Sequence, residues 1–252
     1  MDLQKASMWK RISAFLFDGI LLSIMAVLFA WLLSVLLGFD GYYQTVTDGY
    51  DRYAQEYGVD FSMTTETYES LTAQERENVE AAYAALSADE ETAYAYRMVM
   101  QLSILITSLG LLAGFLSMEF AVPLLLGNGQ TLGKKIFGIG LMRTDGVKVG
   151  PISLFIRTLL GKYTLETMIP VYILLMIFWG TIGIVGPVVI GLIWLTELIL
   201  LCATQTRSLL HDLLAGTVAV DVASQRIFDT REDMIAYYQR QHAEKVSRQT
   251  GL

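Results

Sequence analysis

Apolar residues fall in three long blocks separated by charged connections, a pattern of membrane-length helices rather than of a soluble core. Block 12–38 contains Asp18 as its one charge. Block 98–126 is broken by Gln101, small polar residues and Glu119. Block 151–204 is too long for one crossing at roughly 20 residues per span. Gly180, Gly183, Gly186 and Pro187 mark a turn inside it, which predicts spans over 152–179 and 188–204. Residues 153–166, SLFIRTLLGKYTLE, are amphipathic, so 152–166 either spans the membrane or lies on it.

Between the apolar blocks, charge is segregated by sign, so the formal net charge of −7 says less than its distribution. Lys5, Lys10 and Arg11 precede the first block. Lys134, Lys135, Arg143 and Lys148 face one acid, Asp145, in connection 127–150. Arg207, Arg226, Arg231, Arg240, Lys245 and Arg248 follow the last block. The positive-inside rule places all three regions, and so both termini, in the cytoplasm, which requires an even number of crossings and favours four. The first block is about twice the length of a signal-peptide core and lacks a small-x-small cleavage site, so it is expected to remain as an anchor.

Connection 39–97 then faces outward. It is acidic and rich in tyrosine. Thr72 before Glu75 and Ser87 before Glu90 have capping-box spacing, which predicts helices. No Gly or Pro occurs from Ala88 until Gly110, so a long helix should leave the outer face and become the second span. Its tyrosines are expected to pack a helical cap and its acids to form a solvated face. In the other connection, 137–149 has strand-like runs around Asp145-Gly146, the pattern of a short hairpin. The expected fold class is an all-α integral membrane protein with about four transmembrane helices, an extracytoplasmic helical insert and a short cytoplasmic β-hairpin-like connection. Four regions follow: 1–38 with the first helix, the insert 39–97, the remaining membrane domain 98–222 and a charged cytoplasmic tail 223–252.

The glycine-rich stretch from Gly127 to Lys134 lacks phosphate-loop spacing: five residues separate Gly127 from Gly133, and Lys135 rather than Ser or Thr follows the lysine. A tight turn bringing Lys134 and Lys135 to the membrane surface is expected instead. His211-Asp212 has neither a serine elbow nor a second metal ligand in view, and Cys202 is the single cysteine. No enzyme, cofactor, metal or nucleic acid is implied; His211 and Asp212 are the sole candidates for lipid-directed catalysis.

Arg11 at the mouth of the first helix, Asp18 within it, Gln130-Thr-Leu-Gly-Lys134, residues 140–146 and His211-Asp-Leu-Leu-Ala-Gly-Thr217 together resemble the RDD family of bacterial membrane proteins. That family is named for an arginine, an aspartate in the first helix and a second aspartate near the domain end, matched by Arg11, Asp18 and Asp212. The likeness covers about 9–222, interrupted by an insert longer than is usual in the family. It implies a multi-pass helical domain in the cytoplasmic membrane, and cation transport has been proposed for some members.

An ionisable group in the hydrocarbon region is costly and therefore a candidate site. Counting from the cytoplasmic ends at about 1.5 Å per residue puts Asp18, Glu119 and Arg157 in one layer, with Arg11, Asp212, Thr131, Lys134, Lys135 and His211 at the rim. Glu166 and Glu197 are expected deeper. Two readings follow. In one, unpaired acids serve a small ion- or proton-coupled transporter, as a homo-oligomer. In the other, the charges are helix–helix glue in a non-catalytic accessory module that contacts the lipid bilayer, with an envelope protein at the acidic insert.

Overall fold

The computed structural model describes residues 4–178, 180–204 and 208–250. Trp179, the expected end of the third span, and Arg207 of the basic tail lie outside the described residues. Four of the described helices are long and apolar enough to cross a membrane: α1 (Met8–Leu36), α5 (Glu90–Leu126), α7 (Pro151–Phe178) and α8 (Val185–Ala203). The protein is an all-α, multi-pass membrane protein with one small two-stranded sheet. Residues 152–166 form the first half of α7, continuous with the rest of that helix.

Two of these helices contain stretches of π-helix, at Leu116–Ala121 in α5 and Ile156–Met168 in α7. In such turns each N–H reaches the carbonyl five residues back, as Val122 does to Ser117 and Ile169 to Thr164. The wider turn changes which side chains share a face, and π segments are frequent at functional sites. Glu119 lies in the first stretch; Arg157, Lys162 and Glu166 lie in the second.

Contacts divide the chain into two compact units, one of residues 1–27 and 111–252 and one of residues 28–110. The second contains α2 (Phe39–Tyr57), α3 (Thr65–Ser70) and α4 (Ala73–Ala88) with the start of α5. Val79, Ala82 and Leu86 bury one face of α4 at helical spacing, and Thr92, Ala95, Leu102 and Ile106 do so on α5. Tyr50, Phe61 and Tyr83 form a chain of edge-to-face rings 5.2 and 4.8 Å apart, so the tyrosines pack this helical unit. The capping box at Thr72 and Glu75 is complete. The one expected at Ser87 is not formed: α4 continues through Ser87 to Ala88, carrying buried Leu86 with it, and Asp89 stands between the helices, accepting from Thr92 Oγ1 at 2.7 Å.

In the first unit, β1 (Ile139–Arg143) pairs antiparallel with β2 (Thr217–Asp221), with Ile139 opposite Asp221 and Arg143 opposite Thr217. Ile139, Leu141, Met142, Val218 and Val220 are buried, which explains why β1 reads as a continuous apolar run instead of alternating. The hairpin turn at Asp145-Gly146 closes, but it contributes a single bridge, Met142 to Lys148; the main partner strand comes from beyond the last span. Lys5 bridges Val220, so the N-terminal segment joins the same sheet. On the membrane helices, a Cβ at Gly114 would meet Ala26 at 3.2 Å, so Gly114 lets α5 pack closely against α1.

Candidate functional site: a buried polar cluster

The Gly127 turn is built for a sharp reversal. Gly127, Asn128 and Gly129 all have positive φ, which glycine adopts without steric cost and Asn tolerates. The turn delivers Thr131 as the N-cap of α6 (Leu132–Ile136), where its hydroxyl oxygen accepts from Lys134 N–H. That hydroxyl donates to Asp18 Oδ2 at 2.5 Å, and Gly133 N–H donates to Asp18 Oδ1 at 2.7 Å. Asp18 therefore acts as a remote cap for α6, satisfying a backbone donor left open at the helix start. A side chain at position 133 would collide: its Cβ would lie 2.6 Å from Ala14 O and 2.9 Å from Asp18.

A second carboxylate group repeats the device on α9 (Leu210–Ala215). Leu210 N–H donates to Glu197 Oε2 at 3.2 Å, and His211 N–H donates to Glu166 Oε1 at 2.9 Å. His211 Nδ1 also lies 2.8 Å from Glu166. Asp212, fully inside, receives Arg157 Nε at 2.9 Å and Thr217 Oγ1 at 3.1 Å, with Arg11 at 3.9 Å from its other oxygen. Arg157 Nη2 is 2.9 Å from His211 Nε2. Gly161 makes this contact sterically feasible, since a Cβ there would lie 2.5 Å from His211 Cβ and 2.7 Å from its Cα.

Glu119 joins the two halves. Lys162 Nζ is 2.7 Å and Lys134 Nζ 4.0 Å from its Oε2, while Thr158 donates to its backbone carbonyl at 2.9 Å. Lys134 also lies 3.4 Å from Thr131 Oγ1.

The protonation of the groups outside the spans follows their surroundings. Burial pushes the Lys134 ammonium down to about 7, with Glu119 pulling it up and Lys162 and Arg157 adding to the fall. Burial would raise the Asp212 carboxyl, but the Arg157 guanidinium beside it, with Arg11 farther off, more than reverses this and holds it well below the usual carboxylate range. Burial pushes the His211 imidazole below its ordinary value, against the pull of Asp212 and Glu166.

Residues 5–216 match the model of the RDD family. The chain belongs to the RDD family. No curated protein and no solved structure matches it. Two of the three residues of the RDD pattern meet, Arg11 with Asp212, while Asp18 is linked through Thr131 and Lys134 to Glu119.

Several sequence expectations change. Asp18, Glu119 and Arg157, counted into one layer, are each held by a different partner: Asp18 by α6, Glu119 by lysines and Arg157 by Asp212. Glu166 and Glu197, expected deeper, meet α9, which folds back onto α7 and brings His211 N–H to Glu166 and Leu210 N–H to Glu197. Counting along straight helices from their ends cannot include that return. Lys134 is buried rather than at the membrane surface, since docking α6 on Asp18 carries it toward Glu119. Lys135 on the same helix is exposed. Lys162 stands out in the sequence as a charge within an apolar block, but its pairing with Glu119, and the role of Gly161 beside it, were not expected. Among the described residues, no group of three or more His, Cys, Asp or Glu is placed to hold a metal ion.

Proposed function

We propose that this RDD protein is a non-enzymatic membrane module whose intramembrane charges fasten short extramembrane segments onto its spanning helices. The observation that carries this reading is the repeated cap. Asp18 holds the start of α6, and Glu166 and Glu197 hold the start of α9. Three acids placed in spans thereby satisfy backbone donors of helices outside them. The Arg157–Asp212 and Lys162–Glu119 pairs complete the lock. Each pair exchanges water for a fixed partner, and breaking one by removing its cation leaves a buried charge.

The proposed setting is the bacterial cytoplasmic membrane, with four crossings and both termini cytoplasmic. Basic residues flank the spans on one side, and the shared sheet of Lys5, β1 and β2 supports a common side for the N-terminal segment, the second connection and the tail. The partners proposed are the lipid bilayer and, at the acidic insert, an envelope protein.

A second reading, ion-coupled transport by a small homo-oligomer, is favoured by one observation: Glu197 Oε1 is buried with no hydrogen-bond partner among the described residues. Reconstitution separates the two. Wild type and Asp18→Asn are compared for thermal stability in detergent and for cation-dependent proton flux in vesicles with a pH gradient. The lock predicts lower stability in Asp18→Asn and no flux in either protein. Flux in wild type that vanishes in Asp18→Asn at unchanged stability would overturn it.

A further inference from the structure

The last span carries a carboxyl group that the buried pairs leave over. Glu197 Oε2 accepts from Leu210 N–H, while Oε1 is buried and without a hydrogen-bond partner among the described residues. Glu166 of α7 and Asp212 of α9 bear on it electrostatically. Behind them stand His211 of α9, Arg157 of α7 and Arg11 of α1.

Geometry sets the charge of this group. Arg157 has donors only, so His211 Nε2, 2.9 Å from Nη2, must be an acceptor and carries no proton. Nδ1 then bears the ring proton and donates it to Glu166. His211 is therefore a neutral ring. Arg11 and Arg157 supply two positive charges, and Asp212 and Glu166 supply two negative ones. Lys162, the next cation, is committed to Glu119 at 2.7 Å. Among the described residues, an ionised Glu197 would leave one uncompensated negative charge, with an open oxygen, on an otherwise apolar helix.

We propose that Glu197 and Glu166 form a proton-binding site, with one dissociable proton carried on Glu197 and facing Glu166. Uptake converts the Glu197 carboxylate to a carboxylic acid with a proton from water; no other bond changes. Release places two carboxylates side by side at the start of α9, and their repulsion acts on the Glu166–His211 contact that holds this helix. The site thus links proton occupancy to the segment bearing Asp212. It stands whether or not the lock described above is the protein's role.

Infrared spectroscopy of the full chain in lipid nanodiscs at neutral pH tests this. At that pH exposed carboxyls are ionised, so a carbonyl-stretch band of a protonated carboxylic acid reports a buried one. The expected result is one such band in wild type, lost on alkaline titration and absent in Glu197→Gln. Absence of the band in wild type, or its persistence in folded Glu197→Gln, overturns the proposal. If Glu197→Gln does not fold, Glu166→Gln is read in its place: it alters the group facing the proton, so the band must shift, and an unmoved band overturns the assignment.

Discussion

The helical insert and the polar cluster both carry many charged and hydroxyl side chains, but they satisfy them over very different distances along the chain. In the insert, Thr72 and Glu75 cap one helix turn, Ser62 bonds Asp60, and Thr45 bonds Gly41 O. These partners lie within four residues and are exposed. In the cluster, Asp18 is held by residues 131 and 133, Arg157 by 212 and Glu119 by half-buried Lys162, the others buried. Water can replace a lost partner in the first region and not in the second. Apart from longer-range contacts such as the Arg52–Asp89 pair, these caps and turns of the insert are local choices, while the pairs of the cluster join distant parts of the chain.

Cutting the cluster at its most buried pair tests this contrast most severely. Arg157→Ala leaves Asp212 and His211 without their main donor, and a loss of about 3–5 kcal/mol is expected. Thermal unfolding in detergent, or the yield of folded protein where the variant is too unstable to purify, measures it. Next comes the α6 cap. Asp18→Ala strands the Thr131 hydroxyl and Gly133 N–H, at about 1–3 kcal/mol for each buried group left unpaired, whereas Asp18→Asn, which retains one acceptor oxygen, should lose less. Equal losses in the two variants would show that the charge, not the cap, matters.

Lys134 sharpens the comparison through pH. Its ammonium is held down to about 7 in the folded protein, against about 10.4 when unfolded. Between those values the unfolded chain binds more protons, so stability from this group increases as pH rises through that window and is absent below it. Lys134→Met should flatten this rise in a series of melting curves from neutral to alkaline pH; an unchanged slope would assign it elsewhere. The smallest effect belongs to the insert. Thr72→Ala removes one exposed cap, at about 1 kcal/mol, and hydrogen exchange should increase in the first turn of α4 alone. Faster exchange around α6 or α9 would contradict the independence of the two regions.

The spans were legible because apolar length is a one-dimensional property, and the turn before α8 announced itself by Gly180 and Gly183, while Gly186 and Pro187 fall in the first turn of α8. The Thr72 cap was legible for the same reason: donor and acceptor lie within one helix turn. Ser87 has the same spacing, yet buried Leu86 extends α4 through it, so packing overrode the local signal. In the cluster, residue types were readable but not their pairing. Asp18, Glu119, Arg157, Glu166, Glu197 and Asp212 each stood out as charges near or within apolar blocks. Their partners depend on α9 returning to α7 across Gly161 and on π turns that rotate Lys162 toward Glu119, and neither follows from counting residues along an ideal helix.

Sequence alone determined that this protein is a helical membrane protein with an acidic helical insert, because hydrophobic length and helix-start chemistry are local; it left open whether 152–166 spans or lies on the membrane. Tertiary structure decided what the embedded charges do. It turned a single costly carboxylate, Asp18, into the cap of a helix more than a hundred residues away. It set Asp212 against Arg157 and left Glu197 with an open oxygen. The physical reason is that a buried charge is defined by its nearest partner in space, and in a membrane no water stands in when that partner is missing.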